Sequence, residues 1–307
     1  MSLRAVRVHA VIATYRRPDL LARLLASLAR QGSELVGVVV INNGRDPETA
    51  EVARAAALAT EVLWPEKNLG TGGGLGLGFA HLLTHTEASH FWVLDDDAVA
   101  EPGALAAMLD AQAAARADAV SPLVPDSRGI VTWFPGPLVQ PAWDVIRSGV
   151  TSAGFVARCG LAPLRWNWAT WASLLVTRAA VQAVGMPRTD FWYQATDIEY
   201  TLRLSSRFAC VLAPGAVCPH LPPAAAPEQQ RLKDRWSLQN HAFMSFRLPH
   251  AWRALRHLPG NHYRHWKRYR ADGGALRESL SAFWRGAVLG RPVGADAYYE
   301  AVRRQNS

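Results

Sequence analysis

Strand-like and helix-like stretches alternate through the first hundred residues, which restricts the chain to an α/β sheet with helical cover. Val8 to Thr14 is a short run rich in β-branched residues. Pro18 then stands where a first helical turn accepts it, and Leu20, Leu21, Leu24, Leu25 and Leu28 recur at helical spacing. Val36 to Ile41 is apolar throughout, as expected of a strand covered on both faces. Asn42-Asn43-Gly44 breaks that strand, and Pro47 opens an alanine-rich helix. Val62 to Trp64 and Phe91 to Leu94 supply two more strands, and Pro102 begins a helix to about Arg116. The segment from Ser121 to Pro163 is rich in Pro, Gly and Trp without a clear period, so it reads as loops and short strands shaping a cleft. Regular signals return with a strand at Ala172 to Val176, helices at Arg178 to Val184 and Asp197 to Ser206, and a strand at Phe208 to Ala213. Pro219 to Pro227 punctuates the chain and divides it into 1–222 and a helical 223–307.

Charge follows the same division. Residues 231–307 carry 15 Lys/Arg against 5 Asp/Glu, whereas residues 1–230 carry 18 against 20. A nucleic-acid-binding body would need basic charge on the first part, and that part is slightly acidic, so no nucleic-acid partner is expected. No apolar run reaches the ~18 residues of a membrane span, and Met1 to Arg7 lacks a signal-peptide core. Cys159, Cys210 and Cys218 are odd in number and lack a C-x-x-C pair, which fits free thiols in a reducing cytoplasm.

Four segments carry candidate chemistry. Asp95-Asp96-Asp97 ends an apolar strand, where period-two alternation would place Asp95 and Asp97 on one face and turn Asp96 away. Two carboxylates ~4 Å apart repel by roughly 4 kcal/mol at an effective dielectric near 20. A divalent cation relieves that repulsion, although an isolated acidic triplet is as often a solvated turn. Asn68 to Gly74 (NLGTGGG) lies between a strand and a helix, where glycines let backbone N–H groups approach a phosphate or simply tighten a turn. Neither G-x-G-x-x-G nor G-x-x-x-x-G-K fits it. Asp197 begins a helix beside Phe191, Trp192 and Tyr193, as a general base or an N-cap would. His220, in Cys-Pro-His-Leu-Pro, is a metal ligand or an exposed loop histidine.

Read together, these segments resemble glycosyltransferase family 2, and most closely its bacterial galactofuranosyltransferase and rhamnosyltransferase branch. Ala13-Thr14-Tyr15-Arg16-Arg17 is similar to the family's first-strand nucleotide-binding segment, and Asn42-Asn43-Gly44 stands where it usually has Asp-Asn-Gly. Asn68 to Gly73 resembles its Asn-x-Gly-x-x-Gly-Gly loop, and Leu94 to Asp97 its metal-binding D-x-D element. Thr196-Asp197-Ile198-Glu199, with Arg203 downstream, is similar to the segment bearing the catalytic base, and His220 has the spacing of a metal-binding histidine. Trp168 and Trp171 match a tryptophan-bearing acceptor segment, while Trp236 to Asn240 and Gly286 to Arg291 resemble C-terminal rhamnosyltransferase segments. Asn42 and Thr196 depart from the pattern, each replacing an acid.

The resemblance implies a GT-A fold, a mostly parallel sheet flanked by helices with a basic C-terminal helical extension. It implies an inverting sugar transfer from UDP-galactofuranose or dTDP-rhamnose to a lipid-linked or polysaccharide acceptor. Asp95, Asp97 and His220 would hold Mg²⁺ or Mn²⁺, and Asp197 would be the base. Thr14, Tyr15, Arg16, Asn42, Asn43, Asn68, Gly70, Gly72, Gly73 and Asp96 would meet the donor. Trp168, Trp171 and Glu199 would meet the acceptor. Basic residues from Arg247 to Arg270, interleaved with Trp252, Tyr263, Trp266 and Tyr269, suit a peripheral helix on anionic lipid at the inner face of the plasma membrane. A sugar-nucleotide nucleotidyltransferase and a non-catalytic relative are the competing readings. The first usually has a Gly-rich basic N-terminal segment, and Ile12 to Arg17 contains no glycine.

Overall fold

The computed structural model describes residues 6–223, 227–247, 258–270 and 274–288. Trp252, Arg253, Arg256 and residues 289–291 lie outside them. In chain order the first elements are β1 (Val8–Thr14), α1 (Pro18–Leu28), β2 (Leu35–Asn42), α2 (Pro47–Arg54), β3 (Thr60–Leu63), α3 (Gly70–His85), β4 (His90–Asp95) and α4 (Ala104–Ala115). These are the alternating elements expected from the sequence. The aperiodic middle holds β5 (Ala119–Leu123), α5 (Ala142–Arg147), α6 (Ser152–Cys159) and a two-residue β6 (Leu164–Arg165). Then follow β7 (Ser173–Thr177), α7 (Arg178–Val184), α8 (Thr196–Ser205), β8 (Cys210–Val217) and α9 (Pro227–Arg247). The last two helices, α10 (Leu258–Tyr269) and α11 (Ala275–Val288), complete the described chain.

One eight-stranded sheet runs β3-β2-β1-β4-β7-β5-β8-β6. Pairing is parallel from β3 to β4 and between β5 and β8. The inserted β7 is antiparallel to both its neighbours, and β6 is antiparallel to β8. Alternate side chains feed two cores, one on each face: Val11, Val39, Ile41, Phe91 and Val93 on one side, Ala10, Ile12, Val38, Val40, Trp92 and Leu94 on the other.

The chain leaves β1 towards β2 and β3, then returns to lay β4 on the opposite side of β1. That reversal opens a crevice beyond the carboxyl ends of β1 and β4, where α/β sheets receive ligands. Helix α3 lies close over β1 and β2 because its glycines permit it: a Cβ at Gly78 would stand 2.5 Å from Val11 Cγ1 and 2.9 Å from Ile41 Cδ1. The three cysteines are unpaired.

Candidate active site

The crevice is floored by the end of β4. The strand stops at Asp95, and Asp96 and Asp97 form a turn, so the turn rather than the pleat brings Asp97 back beside Asp95. Asp96 faces the other way, as alternation predicts. It accepts from Thr14 Oγ1 at 2.7 Å and from Arg17 Nη1 at 3.1 Å. Arg17 also reaches Asp97 Oδ2 at 3.3 Å, bridging both carboxylates from the start of α1.

His220 follows β8 and is fixed by backbone bonds. Its N–H donates to Pro125 O (2.9 Å), Leu221 N–H to Asp97 O (2.9 Å), and Val99 N–H to Pro219 O (2.8 Å). Its Nε2 consequently lies 2.7 Å from Asp97 Oδ1 and 3.5 Å from Asp95 Oδ2. Trp133 packs edge-on against the imidazole, with ring centroids 4.5 Å apart. One ligand atom from each of Asp95, Asp97 and His220 lies within 4.8 Å of the others.

Asp197 shares this field. Its carboxyl interacts with the charge on His220, and that of Asp95 with the charge on Asp197. Burial pushes Asp197 up to about 6, against the backbone N–H groups of Ile198 (2.8 Å) and Trp171, which favour its ionised form. The residue is not the N-cap of α8. Ala195 takes that position with φ of 58°, and Asp197 is the second residue of the helix. Trp192 (φ 41°), Gln194 (φ 62°) and Ala195 are all left-handed, a conformation costing a non-glycine residue about 1–2 kcal/mol.

The acid cluster is crowded. Burial at the crevice floor pushes Asp95 up to about 7; His220 opposes this, whereas Asp97, Asp96 and Asp197 add to it. For Asp97 burial also disfavours charge, but hydrogen bonding and charge from His220, followed by Arg17, hold its carboxyl below the usual range. His220 is raised despite its burial because Asp97 and Asp95 favour imidazolium. Two carboxylates and an imidazole in this arrangement fit a hard divalent ion such as Mn²⁺ or Mg²⁺. Such an ion must displace protons held on Asp95 and His220, so its affinity falls as pH drops through about 7. An EPR titration of free Mn²⁺ at about pH 6 and about pH 8 should show at least roughly tenfold weaker binding at the lower pH. Equal affinities would show that these groups are not the ligands.

Several expected contacts sit elsewhere. Asn42 is fully buried, donates to Asp46 O (2.7 Å) and accepts from Asp46 N–H (3.1 Å), so it closes its own turn. Asn43 braces the glycine segment, donating to Gly70 O (3.1 Å) and accepting from Leu69 N–H (3.3 Å). Asn68 Oδ1 takes the Gly70 N–H at 2.8 Å, and Thr71 N–H donates to Trp192 O at 2.9 Å. Gly70 has φ of 67°, Gly72 and Gly73 are buried, and a Cβ at Gly72 would meet Arg188 O and Thr196 Cγ2 at 2.5 and 2.7 Å. Close packing against 188–196 accounts for Gly70 and Gly72, whereas a Cβ at Gly73 would meet Leu69 Cβ at 2.8 Å.

Tyr15 and Arg16 are exposed beside the crevice. Trp168 is half-buried, and its backbone bridges to Gly136. The side chains of Trp171 and Glu199 are buried in the body of the domain. Trp171 is 2% exposed and packs on Tyr200, while Glu199 is fully buried and gives both oxygens to Arg203 at 2.8 and 3.0 Å. Sequence reading gave no role to Trp133, and it placed Arg17 and Asn240 in family-like segments without assigning either a contact in the site.

An acidic pair and a histidine thus meet where the sheet reverses direction between β1 and β4. Residues 9–144 match the family model described as Glycosyl transferase family 2. The galactofuranosyltransferase GlfT1 of Mycolicibacterium smegmatis is 28% identical over 209 residues, 64% of this chain and 65% of its own. The chain thus spans just under two thirds of that relative. GlfT1 of Mycobacterium tuberculosis is 37% identical over 104 residues, 33% of this chain and 34% of its own.

Among solved structures, the fold is similar to mannosyltransferase PcManGT from Pyrobaculum calidifontis in complex with GDP-Man and Mn²⁺ (TM-score 0.56, 19% identity, 97% of this chain and 79% of that one). It is also similar to S. aureus TarS 1-349 (TM-score 0.55, 16% identity, 92% and 81%).

Proposed function

We propose that this chain transfers a sugar from a nucleoside-diphosphate donor to an acceptor hydroxyl by a single inverting displacement. The observation that carries the reading is the convergence of Asp95, Asp97 and His220 in one crevice, within the electrostatic field of Asp197. A divalent ion on the first three would offset charge developing on the diphosphate. Asp197, with a pKa of about 6, accepts the proton of the acceptor hydroxyl at neutral pH. The acceptor oxygen bonds to the anomeric carbon as the carbon–phosphate-oxygen bond breaks, so the nucleoside diphosphate leaves from the opposite face. Arg17 adds positive charge at the crevice edge, and Asp96, held by Thr14 and Arg17, keeps it there.

The names of the galactofuranosyltransferase relatives support a galactofuranosyl donor. With the sequence resemblance we take this to be UDP-galactofuranose, dTDP-rhamnose next, and the acceptor to be a glycolipid or polysaccharide hydroxyl. Thermal-shift measurements with UDP, dTDP and GDP, each with and without Mn²⁺, test the donor class. Binding to the native state alone raises Tm by mass action, so UDP should stabilise most and only with the ion. No metal-dependent shift with any of the three would contradict the reading.

A membrane-surface location at the cytoplasmic face is part of the same proposal. None of the described helices is long and apolar enough to cross a bilayer. Helices α10 and α11 nevertheless leave Tyr263, Trp266, Leu276, Leu280 and Trp284 exposed, with Arg264, Lys267, Arg270, Arg277 and Arg285 beside them. Aromatic and leucine side chains among cations suit an anionic lipid interface. Co-sedimentation with phosphatidylglycerol vesicles at low salt should retain the protein, and Trp284→Glu should release it. Absence of the parent from the pellet would refute the membrane surface.

A further inference from the structure

We infer that Asn240, on the C-terminal helix α9, is a positioning residue for Asp197: it fixes the left-handed turn from which α8 presents that carboxylate. The inference rests on the transferase reading and adds to it a part for the C-terminal helix.

Three of the four residues from Trp192 to Ala195 have positive φ, and none is glycine. Such a turn persists only where its surroundings hold it. Three of the turn's carbonyls are held by one amide. Asn240 is fully buried, and its Nδ2 donates to Phe191 O at 3.1 Å, Tyr193 O at 2.9 Å and Gln194 O at 2.7 Å. Among the described residues its Oδ1 accepts no hydrogen bond, and its polar contacts are the donations to the turn. An NH₂ group facing three carbonyls is an arrangement that neither a carboxylate nor an aliphatic chain can supply.

Aromatic packing holds the two segments together: Phe243 meets Phe191 edge-on at 5.4 Å, and Trp236 lies 5.7 Å from Trp192. On its far side the turn touches the glycine segment, where Thr71 N–H donates to Trp192 O. The turn is therefore clasped between α3 and α9, two residues before Asp197. Without the amide, Gln194 and Ala195 are released to their preferred backbone region, α8 loses its starting direction, and the Asp197 carboxylate leaves its place opposite the acid cluster.

Hydrogen exchange and turnover together test this. Asn240→Leu, which removes the donors at similar volume, should accelerate amide exchange at 191–198 while leaving 8–14 and 90–95 unchanged. With UDP-galactofuranose and Mn²⁺ it should lower kcat by roughly 10- to 100-fold with the Kd for UDP–Mn²⁺ changed less than about threefold. Adding Gln194→Gly should recover part of kcat, because glycine adopts positive φ without strain; a residue that only filled space would not be rescued this way. Asn240→Asp, close in size with acceptors replacing donors, gives the same comparison should the leucine variant not fold.

Unchanged exchange at 191–198, or faster exchange with an unchanged kcat, would overturn the assignment. A parent protein inactive with every nucleotide sugar would instead defeat the transferase reading, and the exchange result would still decide whether Asn240 holds the turn.

Discussion

Replacing Asp197 by Asn should cut transfer to a small fraction of the parent's while leaving donor binding almost intact. General-base assistance contributes typically 10²- to 10⁴-fold, so kcat should fall by roughly that range. The nearly isosteric amide keeps a side-chain oxygen for the Ile198 and Trp171 N–H groups, so α8 should keep its geometry. Donor affinity, set across the crevice by other groups, should change by less than about threefold. The pH profile gives a second handle. The base works only when ionised, and burial raises its pKa to about 6, so parental kcat should fall as pH drops through about 6. That limb should vanish from whatever activity remains in Asp197→Asn. A variant turning over within a few-fold of the parent would remove Asp197 from the role.

The acid pair yields a second large effect, with opposite consequences for stability at its two members. Asp97→Asn removes a proposed metal ligand from beside His220 and Arg17. Lewis-acid stabilisation is worth several kcal/mol, so metal-supported transfer should drop by roughly a thousandfold. The metal-free protein should also lose stability, by about 1–3 kcal/mol, because a buried carboxylate with favourable partners is gone. Asp95→Asn should cost similar activity but leave the metal-free fold as stable or more stable.

The sign at Asp95 follows from its titration. Its folded pKa of about 7 lies above the ordinary 3.8, so the folded state binds the proton more tightly. Ionised Asp95 therefore opposes folding progressively as pH rises from about 4 to about 7, and removing the charge lifts that penalty above pH 7. Tm measured at about pH 8 in EDTA separates the two variants. Equal losses would contradict the electrostatics described for the cluster.

Much of this architecture is written in local pattern. Period-two and period-3.6 signals reflect burial on sheet faces and helix stripes, which is why β1, α1, β2 and β4 stand where the residues place them. Asp95 and Asp97 stand out as an acidic triplet closing an apolar strand, whereas His220, a lone histidine in a proline-rich loop, stands out only through the family resemblance.

What escaped reading depends on contacts between distant segments. Arg17 acquires its role only because β1 and β4 are neighbours, and Asn240 only because α9 folds back on residues 191–194. Polar residues in motif-like positions also have structural partners that the sequence does not announce: Asn42 bonds Asp46, Asn43 the glycine segment and Glu199 Arg203. A sequence boundary at 222/223 likewise hides that α9 packs against the turn bearing Asp197.

The decisive measurement is anomalous diffraction from crystals grown with Mn²⁺ and UDP. One manganese peak should lie at about 2.0–2.4 Å from oxygens of Asp95 and Asp97 and a nitrogen of His220, with Asp197 across the same crevice. A peak ligated by other residues, or bound UDP with no ion at this cluster, would contradict the proposed chemistry.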